Sequence, residues 1–169
     1  MNKMLDETLT ATEFRVLHFK LQNVFVCIDL RYIDKIISLP ELEEVPASPP
    51  YLAGLMNYAG LSIPVINLAW RLGLPCHKPY TLDMPLILCQ DGKHKAGFIV
   101  DELMGIEIID KNKIQQQFEF KVNESPFYAT VTIKDHLSLL LNVGCLIEIN
   151  NDKIQNSFMN ALVKKNARG

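Results

Sequence analysis

The sequence predicts a mostly β protein built from two small barrels packed together. Short apolar runs bounded by turn residues recur along the 169-residue chain, and most of them stand in pairs a few residues apart. About nine of these runs have the length of strands. Short strands tend to close into barrels because closure removes unpaired edges, and one five-stranded barrel would use only about half of them. Two packed barrels account for all of the predicted strands.

The first predicted pair of strands follows a short tail over residues 1–12. Residues 13–21 alternate between two faces, as in a strand. Gln22 and Asn23 then turn the chain into a second strand over residues 24–28. This pair is therefore expected to form a β-hairpin.

A short helix is predicted after this hairpin. Asp29 can cap it, and apolar residues follow at roughly helical spacing, namely Leu30, Ile33, Ile36 and Ile37. Pro40 would end the helix. Four prolines and three glutamates in residues 40–50 then predict an extended, exposed and fairly rigid loop.

The stretch from Pro46 to Leu68 contains no Asp, Glu, Lys, Arg, His or Cys. Two apolar runs flank Ala59 and Gly60, which predicts a tight hairpin. Asn67 can cap a short helix that Gly73 ends. Because catalysis needs an acid, a base or a nucleophile, this neutral hairpin favours binding to a protein over chemistry.

The rest of the chain continues the hairpin pattern and ends in a helix. Residues 84–90 and 93–100 form a pair around a turn at 91–92, residues 104–109 form a further strand, and 127–133 pairs with 137–143. Residues 110–124 are predicted to form a polar loop. We expect an amphipathic helix over about 152–165 to dock on a barrel through its apolar stripe, which consists of Ile154, Phe158 and Leu162.

Composition excludes several classes of function. Seventeen Lys and Arg against nineteen Asp and Glu give a net charge of −2, so nucleic-acid binding is not expected. No apolar run approaches the roughly 20 residues that span a bilayer, and the N-terminus lacks the pattern of a signal peptide, so we expect a cytoplasmic protein. Cys27 and Cys89 lie in apolar runs and are interpreted as packing residues. No cofactor or metal site is predicted.

An ordered set of motifs over residues 13–149 resembles the CheW-like domain, the coupling protein of bacterial chemotaxis arrays. The matching segments are Phe14–Leu21, Ile33–Ile37, Val45–Tyr51, Gly54–Asn57 with Gly60, Ile63–Leu68, Arg71–Pro75 and Gly97–Leu103. The resemblance implies two intertwined five-stranded SH3-like barrels around a shared apolar core. Residues 150–169 would form the C-terminal helix and tail.

The resemblance also implies a non-catalytic adaptor with two partners. Such domains connect the cytoplasmic tips of chemoreceptors to the regulatory domain of a CheA-type histidine kinase. The receptor tip is a helical hairpin that lies in an apolar groove between the barrels. Direct membrane insertion is not expected of such a domain.

The candidate partner-binding residues follow from this resemblance. The hairpin from Gly54 to Gly60 is the leading candidate surface, and Asp101 and Glu102 are candidates for contact with the kinase. The full set is Ile33, Lys35, Ile36, Gly54, Asn57, Tyr58, Ala59, Gly60, Asp101 and Glu102. Each also has a structural interpretation: the isoleucines as core, the glycines as backbone requirements and the acids as solvated strand ends.

Two departures from the family pattern affect this surface. Tyr58-Ala59-Gly60 stands where the family typically has Leu-Arg-Gly, so a planar five-donor group is missing. Lys35 stands where an acidic residue is common, which reverses a charge. These departures favour as an alternative a divergent CheW-like protein that binds the kinase ring or another partner without ordinary receptor coupling. A separate alternative is a small β-barrel enzyme or ligand-binding module that only resembles the family. No nucleophile, metal or phosphate motif supports an enzyme.

Overall fold

The computed structural model describes residues 9–75, 79–115 and 125–147. Ten strands lie in these ranges, one more than predicted: β1 Glu13–Leu21, β2 Val24–Asp29, β3 Ile33–Ser38, β4 Leu52–Tyr58, β5 Leu61–Asn67, β6 Pro85–Gln90, β7 Lys95–Ile99, β8 Glu102–Asp110, β9 Phe127–Ile133 and β10 His136–Leu141. The short helical segments are α1 Leu68–Arg71 and the 3₁₀ turns Leu30–Tyr32 and Lys111–Lys113. Residues 143–147 are also helical. The predicted stripe of Ile154, Phe158 and Leu162 lies outside the described residues.

The strands form two five-stranded sheets, which confirms the mostly β architecture. The first sheet has the order β8-β1-β2-β10-β9, and the second has the order β3-β6-β7-β5-β4. The second sheet uses five consecutive strands, whereas the first sheet combines strands from both ends of the described chain. The chain therefore leaves the first sheet after β2, builds the second sheet and returns at β8.

Each sheet curls until its two edges approach each other. Glu43, beyond edge strand β3, pairs with Leu55 of the opposite edge strand through two N–H···O bonds of 2.8 Å. In the first sheet Gln115, beyond β8, pairs with Thr130 of β9 through two bonds of 2.9 Å. These single-residue bridges satisfy backbone groups that would otherwise lie at open edges.

One apolar core joins the two sheets, as expected. Phe19 and Ile28 of the first sheet pack in the same buried cluster as Ile66 and Phe98 of the second sheet. Two smaller clusters fill the individual sheets, one around Met56 and the other around residues of β1, β9 and β10. The sheets are therefore held together by buried apolar surface, the dominant favourable term in folding.

The predicted hairpins are confirmed, and their turns have the expected backbone. Ala59 and Gly60 have φ angles of 51° and 82°, and Lys134 and Asp135 have φ angles of 47° and 67°. Two consecutive residues with positive φ are typical of the type I′ turn, whose twist matches that of the flanking strands. In the turn of the β6–β7 hairpin, Gly92 has a φ angle of 95°.

The helix predicted after Asp29 is wrong beyond its first turn. Asp29 does cap a 3₁₀ turn, with its carboxylate accepting from the Arg31 N–H at 2.9 Å. The residues that follow, however, form strand β3, which pairs with β6. A β-bulge between Ile33 and Lys35 interrupts the alternation. Because of the bulge, isoleucines that are three residues apart can belong to one strand, and the same spacing is typical of a helix. This spacing led to the wrong prediction of a helix.

Two further local predictions are confirmed, whereas the loop predicted over 40–50 also buries Val45 and bridges to β4 through Glu43, and the strand predicted to reach residue 143 ends at Leu141. Asn67 caps α1 by accepting the Trp70 N–H at 3.1 Å, and Gly73, with a φ angle of 78°, follows the helix. Cys27 and Cys89 are buried free thiols in the sheets. Across residues 9–75, 79–115 and 125–147, no helix has the length and apolar character needed to cross a bilayer.

Candidate functional site

The β4–β5 hairpin projects an exposed turn from the second sheet. Asn57, Ala59 and Gly60 are all exposed. The Asn57 side-chain oxygen accepts the Gly60 N–H at 3.2 Å, which ties the last residues of β4 to the turn. Leu61 follows with 56% of its surface exposed. The turn therefore presents a fixed backbone and an apolar side chain to solvent.

Lys35 lies beside this hairpin and contacts it. The Lys35 ammonium donates to the Tyr58 hydroxyl at 3.0 Å and lies 5.6 Å from the centre of its ring. This hydrogen bond raises the pKa of Lys35 above its ordinary value. Because Lys35 is on edge strand β3 and Tyr58 on edge strand β4, their contact spans the seam between the two edges of the second sheet.

Gly54 lies at the same seam for a steric reason. It is buried in β4 with a φ angle of 154°, and a β-carbon there would lie 2.6 Å from the carbonyl oxygen of Glu43. Glu43 is the residue whose bridge to Leu55 joins the segment after β3 to β4. Gly54 therefore permits the close approach of two backbones, and the structure supports the interpretation of this glycine as a backbone requirement.

Asp101 and Glu102 lie at the junction with the first sheet. The Asp101 carboxylate accepts the Gln22 N–H at 2.5 Å, and the Asp101 N–H donates to the Lys20 carbonyl at 3.2 Å. Glu102 is exposed at the start of β8, in register with Lys20. Asp101 thus ties the end of the second sheet to the β1–β2 turn, and Glu102 begins a strand instead of closing one.

The three candidate residues of β3 have different surroundings. Ile33 is half-buried against the shared core, whereas Lys35 and Ile36 are exposed, Ile36 by 41%. The structure therefore joins Lys35 and Tyr58 directly at the hairpin. It assigns Ile33, Gly54 and Asp101 packing or backbone roles.

The sequence analysis missed an exposed apolar surface on β8. Met104, Ile106 and Ile108, here called the β8 apolar strip, are 42%, 60% and 57% exposed. Ile106 is in register with Leu17, a residue of the shared core, so both side chains share one face of the first sheet. The signal was present as an apolar residue at every second position from Met104 to Ile108, which was interpreted only as a strand.

A cavity of about 610 Å³ opens on the first sheet, away from the hairpin. Its lining residues are Phe14, Asp29, Arg31, Tyr32, Lys111, Ile114, Tyr128, Leu140 and Leu141. None of them is a Ser, Thr, Cys or His, and the Arg31 guanidinium is already engaged by the Asp29 carboxylate at 2.8 Å. Within the described ranges, no group of His, Cys, Asp and Glu residues is arranged to hold a metal.

Comparison with known proteins connects this architecture to one family. The family model described as "CheW-like domain" matches residues 15–150. "Chemotaxis protein CheW" of Thermotoga maritima is 29% identical over 102 residues, which cover 60% of this chain and 66% of that protein. "Probable chemotaxis protein CheW" of Rhizobium etli is 24% identical over 143 residues, which cover 85% of this chain and 89% of that protein.

A solved structure shows the same fold. The crystal structure of the scaffolding protein TtCheW from Thermoanaerobacter tengcongensis aligns with a TM-score of 0.68 at 22% identity and covers 76% of this chain and 88% of that one. The family match extends over most of the chain, from β1 to the last described residues. The chain therefore belongs to the family of CheW-like domains, whose members are non-catalytic scaffold proteins of chemotaxis.

Proposed function

We propose that this protein couples the cytoplasmic tip of a chemoreceptor to the regulatory domain of a CheA-type histidine kinase. A coupler must hold two partners at once, so it needs two separate binding surfaces. The observation that carries the proposal is the presence of two exposed apolar surfaces on different sheets. One surface is formed by Leu61 and Tyr58, which share a face of the hairpin in the second sheet, and the other is the β8 apolar strip of the first sheet.

Both surfaces suit protein partners better than small ligands. Exposed apolar groups gathered on a folded surface commonly mark a place where a protein docks. The β8 apolar strip continues the face of Leu17, at which the two sheets meet, and so suits contact with another folded domain. The hairpin carries the exposed Leu61 beside Tyr58 and Lys35, which suits a receptor helix with an apolar face. Both partners are cytoplasmic, so the proposed site of action is the cytoplasm.

A direct test is a pair of binding titrations with single surface variants. The partners are a receptor-tip fragment and a kinase regulatory domain from the same genome. We expect micromolar binding of the wild type to both, because coupling contacts are transient. Leu61→Asn should weaken receptor binding and Ile106→Asn should weaken kinase binding, each by roughly 5- to 30-fold for the loss of an apolar anchor.

The matched control is Leu82→Asn. Leu82 is 61% exposed, comparable to Leu61, but lies in the loop before β6. It should leave both affinities unchanged. Binding of only one partner by the wild type would contradict coupling. If every variant weakened the affinity for both partners equally, the two surfaces would not each bind a different partner.

The main alternative is a protein that binds the kinase ring without ordinary receptor coupling. The specific observation in its favour is that both departures from the family pattern, Lys35 and Ala59, are exposed at the seam of the second sheet. The same titrations distinguish it, because it predicts binding to the kinase domain alone.

A further inference from the structure

The Lys35–Tyr58 contact creates a positioned positive charge on the exposed seam of the second sheet. The phenol accepts one hydrogen bond from the ammonium at 3.0 Å, and the ring face lies 5.6 Å away. An ammonium has three donors, so two N–H groups remain for a further acceptor. Tyr58 thus reduces the freedom of a side chain that would otherwise be mobile, and a fixed charge selects partners better than a mobile one.

Among the residues that the structure describes, no carboxylate forms an ion pair with this charge. The ion pairs among the described residues are Arg31–Asp29, His94–Asp91, Lys95–Asp34 and Lys134–Glu107, with none involving Lys35. Asp34, the residue beside it in sequence, lies 3.6 Å from the Lys95 ammonium. The Lys35 ammonium is therefore available to an external carboxylate.

The surroundings of the ammonium are apolar. Ile36 follows Lys35 along β3 and points to the opposite face of the strand, so the exposed apolar neighbour on this face is Leu61. Leu61 is in register with Tyr58 across the hairpin, so their side chains share one face. A partner that fits here combines an apolar contact surface with one acidic side chain placed to meet the ammonium.

We propose that the Lys35–Tyr58 pair selects a receptor tip that carries a carboxylate on an otherwise apolar helix face. This inference rests on the proposed coupling function and specifies the chemistry of one partner. Complementary charge mainly sets which partner binds and how fast it associates. The charge at position 35 is thus a specificity determinant of this chain, and the scaffold and its shared core do not depend on it.

The test is a titration of the same receptor-tip fragment against Lys35→Gln, Lys35→Glu and Tyr58→Phe. We expect Lys35→Glu to weaken binding about tenfold, because an exposed attraction is replaced by a repulsion. Lys35→Gln and Tyr58→Phe should each weaken it roughly two- to fourfold. At high salt the difference in receptor affinity between Lys35→Glu and the wild type should become smaller, because salt screens the interaction between exposed charges.

The matched control is Lys93→Glu, which makes the same change in net charge at an exposed lysine in the β6–β7 turn. It should leave receptor affinity unchanged. A receptor fragment with one acidic side chain replaced by Lys should regain affinity for Lys35→Glu. Far-UV circular dichroism and melting curves should match the wild type for all variants, because the substituted groups are at the surface.

Two outcomes would overturn the inference while leaving coupling intact. In the first, the wild type binds the receptor tip, but either the substitutions at position 35 leave the receptor affinity unchanged or Lys93→Glu lowers it as much as Lys35→Glu does. The second is a loss confined to the kinase domain, which would assign the charge to the other partner. Failure of the wild type to bind any receptor tip would instead contradict the proposed function itself, and this inference with it.

Discussion

Replacing Gly54 with alanine should destabilise the protein strongly, because the new methyl group meets backbone. The β-carbon would lie 2.6 Å from the Glu43 carbonyl oxygen and 3.0 Å from the Leu42 β-carbon, whereas ordinary contacts begin at 3.4 Å. Neither neighbour is the flexible end of a side chain. The segment that carries Glu43 must therefore move away from β4 by most of an ångström.

The magnitude follows from what this movement breaks. Glu43 and Leu55 exchange two hydrogen bonds of 2.8 Å, each contributing about 0.5–1.5 kcal/mol to stability. The φ angle of 154° adds about 1–3 kcal/mol of backbone strain for a residue with a β-carbon. The expected loss is therefore about 4 kcal/mol, a large part of the roughly 5–15 kcal/mol that stabilises a typical domain.

Gly60→Ala is the matched control for this prediction. Gly60 also has a positive φ, of 82°, but a β-carbon there would have no atom within 4 Å. The Gly60→Ala variant should lose only the free energy that a left-handed backbone conformation costs a residue with a β-carbon, about 1–2 kcal/mol. Urea unfolding followed by far-UV circular dichroism and by Trp70 fluorescence gives both values. A Gly54→Ala variant within 1 kcal/mol of Gly60→Ala would refute the steric argument.

Three further predictions concern buried polar groups and a helix cap. Burial raises the pKa of Cys27 to about 12, so iodoacetamide at pH 8 should leave this thiol unmodified in the folded protein and label it in urea, as measured by peptide mass spectrometry. Burial lowers the pKa of His18 in the folded state, so the unfolded state binds this proton at a higher pH than the folded state does. The free energy of unfolding should therefore decrease as the pH drops below about 6.5. Urea titrations at pH 7.5 and 5.0 should show a smaller decrease for His18→Gln than for the wild type. Asn67→Ala should destabilise by about 0.5–2 kcal/mol because the Trp70 N–H loses its acceptor, whereas Asn67→Asp should retain most of the stability in the same assay.

Local patterns predicted much of this fold because local chemistry determines it. The bounds of β1 and the turn at Ala59 and Gly60 follow from alternation and from residues that tolerate positive φ. The error at β3 arose because a bulge changes side-chain spacing without leaving a distinct mark in the sequence. A three-residue spacing of isoleucines fits a helix and a bulged strand equally well.

The candidate site was less predictable because it depends on contacts between distant residues. Lys35 and Tyr58 were both identified from the sequence, but their contact depends on how the second sheet curls. The β8 apolar strip was missed for a related reason. Alternation shows that a strand has an apolar face, but it does not show whether another element covers that face. Only the packing of the two sheets leaves Ile106 exposed.

The return of the chain to the first sheet has a consequence for synthesis on the ribosome. β2 pairs in parallel with β10, and Val26 meets Leu139 only after the whole second sheet has been made. At about 5–20 residues per second, the β1–β2 hairpin waits roughly 6–20 s for this partner. The second sheet, built from consecutive strands, has its full set of pairing partners long before. The nascent chain is thus expected to assemble its middle first and to need protection of its N-terminal hairpin, whose apolar side chains remain uncovered meanwhile.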